Sequence, residues 1–224
     1  MLTFHEVIDA LRQRLQGPLP GAQAQLTMAP AHRQDPEQFR AEHKPCQEAA
    51  VLVPIYPELS HPMVLLIVRP ANLKAHGGQI SFPGGRREAD EPLWQTALRE
   101  TEEELGILAT SITLLGALTP LYIPVSHFCV YPFVGSLQAL PPLKPCPEEV
   151  AAVLRVPLER LLDPHAQRCE LWDIRGQRTQ VPFFEVESHR IWGATAMILA
   201  ELLALLRVLS HSQMASSRSC GVVA

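Results

Sequence analysis

No stretch of this 224-residue chain combines the length and freedom from charge that a membrane-spanning helix needs. Its most apolar run, residues 191–209, is interrupted by Glu201 and Arg207 and reads as a core helix instead. A basic excess is missing too. Lys and Arg total 19 against 23 Asp and Glu, for a formal net charge of −4 and a pI near 6.1. That balance leaves no broad positive surface for a nucleic-acid backbone or an anionic membrane, and neither is expected as a partner. Cys-x-x-Cys pairs are absent as well. The five cysteines, Cys46, Cys129, Cys146, Cys169 and Cys220, are widely spaced and odd in number. This usage fits a reducing compartment, the cytoplasm if the source is bacterial, and no chemistry is assigned to the thiols. The N-terminus lacks the uninterrupted apolar core of a secretory signal: Glu6 and Asp9 lie among Phe4, Val7, Ile8, Leu11 and Leu15 in amphipathic helical spacing. The final Gly-Val-Val-Ala is not a peroxisomal ending, and no internal repeat is visible.

What remains is one domain with extensions at both ends. The length slightly exceeds the usual ~100 to 200 residues per domain and suffices for a full core. The expected boundaries are an N-terminal helix and connecting segment over 1–48, the main domain over 49–209, and a polar, aperiodic tail over 210–224. Residues 51–55, 63–69, 112–118 and 128–134 read as strands, with Pro132 demoting part of the last to an edge or bulge. The twenty-one prolines concentrate in loops, and 30–45 reads as a surface connection.

The chemistry is concentrated in GRREADEPLWQTALRETEEELGI, residues 85–107. If 93–105 is a helix, an advance of about 100° per residue puts Glu100, Glu103 and Glu104 on one face. Leu93, Trp94, Ala97, Leu98, Thr101 and Leu105 then form the neighbouring apolar stripe, which makes Trp94 a core residue. Like charges one helical turn apart repel, so a compensating cation is implied. Oxygen ligands suit Mg²⁺ or Mn²⁺, and Mg²⁺ commonly completes its shell with water and substrate phosphate. Arg99, a permanently charged fork, is placed to hold Glu91 or Glu103 by paired hydrogen bonds. An acidic run by itself is more often a solvated helix face. The glycines before it, Glu91 and the Arg99-Glu100 pair at fixed offsets favour a site.

These residues resemble the Nudix box, Gly-x5-Glu-x7-Arg-Glu-aliphatic-x-Glu-Glu-x-Gly-aliphatic. Gly85, Glu91, Arg99, Glu100, Glu103, Glu104, Gly106 and Ile107 fit it, and Thr101 replaces an aliphatic residue. Upstream, LLIVRPANLKAHGGQISFPGG over 65–85 is similar to the additional motif of the coenzyme A pyrophosphatase branch, through Leu65, Leu66, Arg69, Gly78, Phe82, Pro83, Gly84 and Gly85. Ile67, Pro70 and Lys74 depart from it, Lys74 keeping the charge of an Arg without its fork. Segments 145–162 and 191–203 resemble later blocks of the same branch.

The resemblance implies the Nudix fold, an α/β (α+β) architecture in which an α/β/α sandwich encloses a mixed sheet. It implies metal-dependent hydrolysis of the diphosphate bond of coenzyme A or an acyl derivative to 3′,5′-ADP and the phosphopantetheine half. By analogy the Gly85 carbonyl joins Glu100, Glu103 and Glu104 at the metal, and Arg99 and Glu103 belong to the catalytic set. The general base is Glu100 or a carboxylate of the later Glu148-Glu149 pair, with Glu149 the better aligned. Arg69 and Lys74 are candidate substrate contacts, or else solvated charges. His76 and His127 stay off the catalytic set. The partner is a small molecule, and homo-oligomerisation is left open. Two rivals are hydrolysis of another nucleoside diphosphate derivative such as ADP-ribose, and nucleotide binding without cleavage.

Overall fold

The computed structural model describes residues 2–31, 46–72, 77–174 and 176–216. Lys74, His76, Cys220 and most of the 30–45 connection lie outside these residues. The chain opens with helix α1 (Phe4–Arg14), as its apolar spacing predicts, started by a reciprocal Thr3–Glu6 capping box. A short α2 (Gly21–Gln25) follows. Strand β1 (Gln47–Glu58) and β2 (His61–Val68) form a hairpin around Leu59 and Ser60, both at positive φ. Next come β3 (Ile80–Ser81), β4 (Gly84–Arg86), α3 (Leu93–Leu105), β5 (Thr113–Ala117), β6 (Leu121–Ile123), β7 (Phe128–Ser136) and β8 (Ala152–Pro157). After α4 (Leu158–Leu162), strands β9 (Gln167–Ile174), β10 (Gln177–Val186) and β11 (His189–Trp192) lead into α5 (Gly193–Ser216), which runs past residue 209.

The main sheet is mixed. Its path is β3-β2-β1-β7-β5, with β4 on β1, β6 on β7 and β8 on β2; β1 and β7 are parallel and the other pairs antiparallel. Side chains alternate between the two sides of a strand, and the apolar residues of β1 and β2 are sorted accordingly. Ala50, Leu52, Tyr56, Met63, Leu65 and Ile67 face the cluster containing Ala97, Leu98 and Leu105 of α3. Val53, Ile55, Val64 and Leu66 face the cluster built with α1 and α5. Helices therefore cover both faces of the sheet, the α/β/α sandwich expected. A separate three-stranded antiparallel sheet, β11-β10-β9, contributes Phe184, Val186 and Ile191 to the α5 side.

Three expectations change. The edge or bulge expected at Pro132 is confined to a short gap on one side of the ladder: strand β7 as a whole lies between β1 and β5. Pro132 is accommodated because it falls between the residues paired with β5 and those paired with β6; its carbonyl accepts the Leu118 N–H (2.9 Å), and no N–H is required in return. Cys46 and Cys129 form a disulfide across 83 residues, brought together by the parallel pairing of β1 and β7. Sequence spacing gives no hint of that pairing; Cys146 and Cys169 are free. Trp94 is 46 % exposed rather than buried with the α3 stripe. The buried face of α3 is rotated to Thr96, Ala97, Leu98, Thr101, Glu104 and Leu105, which moves Trp94 outward and Glu104 inward.

No helix among the described residues is long and apolar enough to cross a membrane. Glu201, one of the two charges that interrupt the apolar run of α5, is fully buried and satisfied. It accepts hydrogen bonds from Gly21 N–H, Gln25 Nε2, and both the N–H and Oγ1 of Thr119, tying α5 to α2 and the β5–β6 turn.

Candidate active site

Strand β4 lies antiparallel on β1, pairing Gly84 with Val51 and Gly85 with Ala50. This delivers the chain to the start of α3 with its two glycines under the helix. Gly84 has φ 150°, and a Cβ there would strike the β1 backbone; a Cβ on Gly85 would strike the Glu100 carboxylate. Only glycine lets strand and helix approach this closely. Helix α3 ends at Gly106, whose φ of 70° is the usual left-handed stop. The loop beyond β7 is tied back onto that end, with Lys144 N–H bonded to Leu105 O (2.8 Å) and Cys146 N–H to Glu104 O (2.9 Å). Those bonds bring Glu149 within electrostatic reach of Glu100 and Glu104 although it is distant in sequence, whereas Glu148 is engaged by the Cys146 thiol (3.1 Å).

The acids of α3 do not share one environment. Glu104 is 1 % exposed. Its Oε2 accepts the Gly84 N–H (2.9 Å), while Oε1 has no hydrogen-bond partner and Arg69 Nη1 lies 3.6 Å away. Burial pushes the Glu104 pKa up to about 8, against the Gly84 hydrogen bond and Arg69, with Glu100 and Glu149 adding repulsion. Glu100 is also raised, first by burial, with Arg99 opposing and Glu103 and Glu149 reinforcing. Glu103 is mostly exposed and bonded to Arg99 (2.9 Å). The shared face is thus an arc running from core to solvent.

Arg99 gathers three carboxylates: Glu91 (Nη2–Oε1 2.9 Å), Glu100 (3.0 Å) and Glu103 (2.9 Å), and donates to the Arg86 carbonyl (3.1 Å). Glu91 is saturated, its Oε1 also accepting from Thr96 Oγ1 and the Glu88 N–H. Hydrogen bonding to Arg99 is the main cause that holds its pKa down at about 2. Arg69, read from sequence as a substrate contact or a solvated charge, stands beside Glu104. His127 instead pairs with the Tyr122 hydroxyl (2.9 Å). Sequence reasoning misses Glu48, Arg87 and Thr96, which support Glu91. Nothing in a one-dimensional pattern links Glu48 to Arg87, 39 residues on.

Among the described residues no group of three or more His, Cys, Asp or Glu side chains is assembled as a metal cage. The arrangement nonetheless suits a hard divalent ion. A buried carboxylate oxygen without a hydrogen-bond partner sits near a second up-shifted carboxylate, over a backbone kept open by glycine. Mg²⁺ is usually held by one or two carboxylates with water and substrate phosphate supplying the rest.

The Glu104 shift fixes a sign. Its folded pKa of about 8 lies above the ordinary 4.5, so the fold favours the neutral acid. The resulting stability is fully present below about pH 4.5 and is lost as pH rises through about 8. In urea denaturation, metal-free protein is expected to lose on the order of 3 kcal/mol more than a Glu104→Gln variant between pH 6 and 9. Parallel curves for the two proteins would refute the assignment.

The model of the NUDIX domain family matches residues 47–172 of this chain. An uncharacterized Nudix hydrolase NudL from Photorhabdus laumondii is 38 % identical over 163 residues, covering 72 % of this chain and 86 % of that protein. The protein of the same description from Yersinia pestis is 40 % identical over 161 residues, covering 70 % and 78 % respectively. Among solved structures, the MutT protein from Methanosarcina mazei Go1 superposes with a TM-score of 0.50 at 18 % identity, covering 75 % of this chain and 99 % of that one. That likeness concerns the fold.

Proposed function

The chain belongs to the Nudix hydrolase family, whose members cleave diphosphate bonds of nucleoside diphosphate derivatives, and from that premise we propose that its substrate is coenzyme A or an acyl-coenzyme A. Nudix hydrolases generally use divalent metal ions. In this reading the ion is Mg²⁺ or Mn²⁺, held by Glu100 and Glu104 with the Gly85 carbonyl, and Glu103 is available from the solvent side. The observation that carries it is Glu104: a carboxylate buried at the strand–helix junction, with one oxygen lacking a hydrogen-bond partner and Arg69 beside it.

When bound, the ion neutralises diphosphate charge, acidifies water and stabilises the departing oxygen. The chain's own residues do the remainder. Arg69, at the end of β2 and only loosely engaged by Glu104, is free to take a substrate phosphate oxygen. Glu149, or Glu100 itself, accepts the proton of the attacking water. Arg99 keeps Glu91, Glu100 and Glu103 from repelling one another and fixes where they point. A P–O bond of the diphosphate breaks, giving 3′,5′-ADP and 4′-phosphopantetheine or its acyl form.

The coenzyme A assignment draws support from the 65–85 segment. Its matching residues include Arg69 beside Glu104, the Gly84 N–H bonded to Glu104, and Phe82, buried in the core just before the two glycines. Incubation with coenzyme A and Mg²⁺ or Mn²⁺ is expected to yield 3′,5′-ADP, detected by mass spectrometry. A panel including ADP-ribose tests the substrate class. Coenzyme A ranking among the poorest substrates would overturn this assignment in favour of another nucleoside diphosphate derivative. A complete lack of turnover with any metal would favour nucleotide binding without cleavage.

A further inference from the structure

The loop from Arg87 to Pro92 joins β4 to α3 and positions Glu91, yet Glu88 and Asp90 within it are exposed and Ala89 is at φ 42°, a left-handed conformation strained for a residue with a Cβ. A loop with so little buried support needs some other restraint if the Glu91 carboxylate is to meet Arg99 in a fixed geometry. Arg87 supplies it. Its Nη1 is 2.6 Å from Glu48 Oε2 on β1, and its Nε donates to the Glu91 carbonyl at 2.6 Å. Its own N–H bonds to the Glu48 carbonyl (2.9 Å), so both backbone and side chain are fastened to the same strand residue. Glu48 is itself anchored: it lies in the parallel β1–β7 ladder opposite Cys129, and its carboxylate engages Tyr131. From this anchor the contacts are continuous. Glu48 holds Arg87, Arg87 holds the Glu91 main chain, the Glu91 carboxylate takes Arg99 through Nε and Nη2, and Arg99 Nη1 takes Glu100 and Glu103.

We infer that Arg87, which occupies a variable position of the signature, is a positioning residue: with Glu48 it fixes Glu91, and through Glu91 it sets the direction of the Arg99 fork and hence of Glu100. Its influence depends on the planar guanidinium, which presents Nε to one partner and Nη1 to another in a rigid plane. Without it the Glu91 main chain follows the loop, and the Thr96 hydroxyl and Glu88 N–H still hold one of its carboxylate oxygens, Oε1, but not the Oε2 that receives Arg99 Nε. Arg99, already bonded to Glu100 and Glu103 through Nη1, then turns its Nε and Nη2 toward them as well, competing more strongly for the carboxylate that the functional reading above gives to the metal. Groups that orient metal-binding residues typically account for about 10- to 100-fold in metal affinity or activity.

The test uses the full chain in two measurements. In the first, without metal or substrate, the Arg99 side-chain Nε–H resonance is followed by NMR and assigned by its disappearance in Arg99→Lys. Arg87→Ala is expected to shift it to the position and rapid solvent exchange of an exposed arginine, with the circular dichroism spectrum and melting temperature little changed. In the second, the activity readout, which rests on the proposed hydrolase reading, should show kcat lowered about tenfold or more with KM changed less than about twofold. Arg87→Lys should recover part of this loss, and Arg87→Ala should add little to Glu91→Gln, because both act through one contact. An unchanged Arg99 resonance in Arg87→Ala overturns the inference, as does a defect that adds fully to that of Glu91→Gln. If wild-type protein turns over no diphosphate at all, the functional reading fails while the resonance still decides the role of Arg87.

Discussion

Glu104→Gln is expected to lower kcat by about three powers of ten while leaving the fold intact. The replacement has the same shape and its amide oxygen still accepts the Gly84 N–H, so the strand–helix junction keeps its hydrogen bond. What disappears is the ability to become an anion. In the wild type that negative charge is held back by burial, with a pKa near 8, and a divalent ion stabilises it by drawing the proton off. A metal-ligating charge worth several kcal/mol of transition-state stabilisation corresponds to about a thousandfold in rate. The same change relieves the metal-free protein of a buried acid forced to ionise at high pH, so the variant should be the more stable protein at pH 9. Glu103→Gln offers the contrast: its exposed carboxylate is paired with Arg99, and a much smaller loss is expected. Steady-state assays at saturating Mg²⁺ check both, and a Glu104→Gln enzyme within tenfold of wild type would remove Glu104 from the metal site.

Arg99→Ala should damage both stability and turnover. Arg99 is the common partner of Glu91, Glu100 and Glu103, and its side chain retains only 22 % exposure. Deleting it leaves three neighbouring carboxylates without their cation. Removing one member of a buried ion pair costs 3–5 kcal/mol, and partial exposure places the expected loss at about 3 kcal/mol at neutral pH. Glu91 gives the pH dependence its sign. Its folded pKa, about 2, lies below the ordinary 4.5, so its stabilisation is present above about pH 4.5 and is lost as pH falls through about 2. The difference between wild type and Arg99→Ala in urea denaturation should therefore shrink on acidification. Arg99→Lys should recover only part of the neutral-pH stability, because a single ammonium cannot reproduce the fork that reaches Glu91 with two nitrogens and Glu100 and Glu103 with a third. A gap that stays constant from pH 7 to pH 3 would contradict this account.

Much of the site is legible in one dimension because its spacing is local. A helix returns to the same side every three or four residues, so Arg99, Glu100, Glu103 and Glu104 declare their proximity without any tertiary information. Glu91 sits one short loop earlier, outside the helix; the sequence allows Arg99 to hold it or Glu103, and the folded chain has Arg99 on both. Alternation in β1 and β2 likewise marks two apolar faces, and those faces imply cover on both sides of a sheet. The rotation of α3 about its axis is another matter. Leu93 and Trp94 look like one end of the buried stripe, yet packing against β1 draws Thr96 and Glu104 inward and leaves Trp94 in solvent. An apolar stripe about 100° wide tolerates such a turn, and only the opposing surface selects it.

From the order of its residues alone, the chain already specifies a layered α/β domain and a helix carrying an arginine among acids, since both depend on repeats no longer than a helical turn or a strand pleat. Only the folded molecule decides that Glu104 is the buried member of the set, that Arg69 stands next to it, that Glu48 and Arg87 brace the loop, that Cys46 meets Cys129, and that Pro132 can occupy an interior strand. Each of these joins segments tens of residues apart. Strand order and register set those distances, and burial, which shifts a carboxyl group's proton affinity, exists only once the layers have closed.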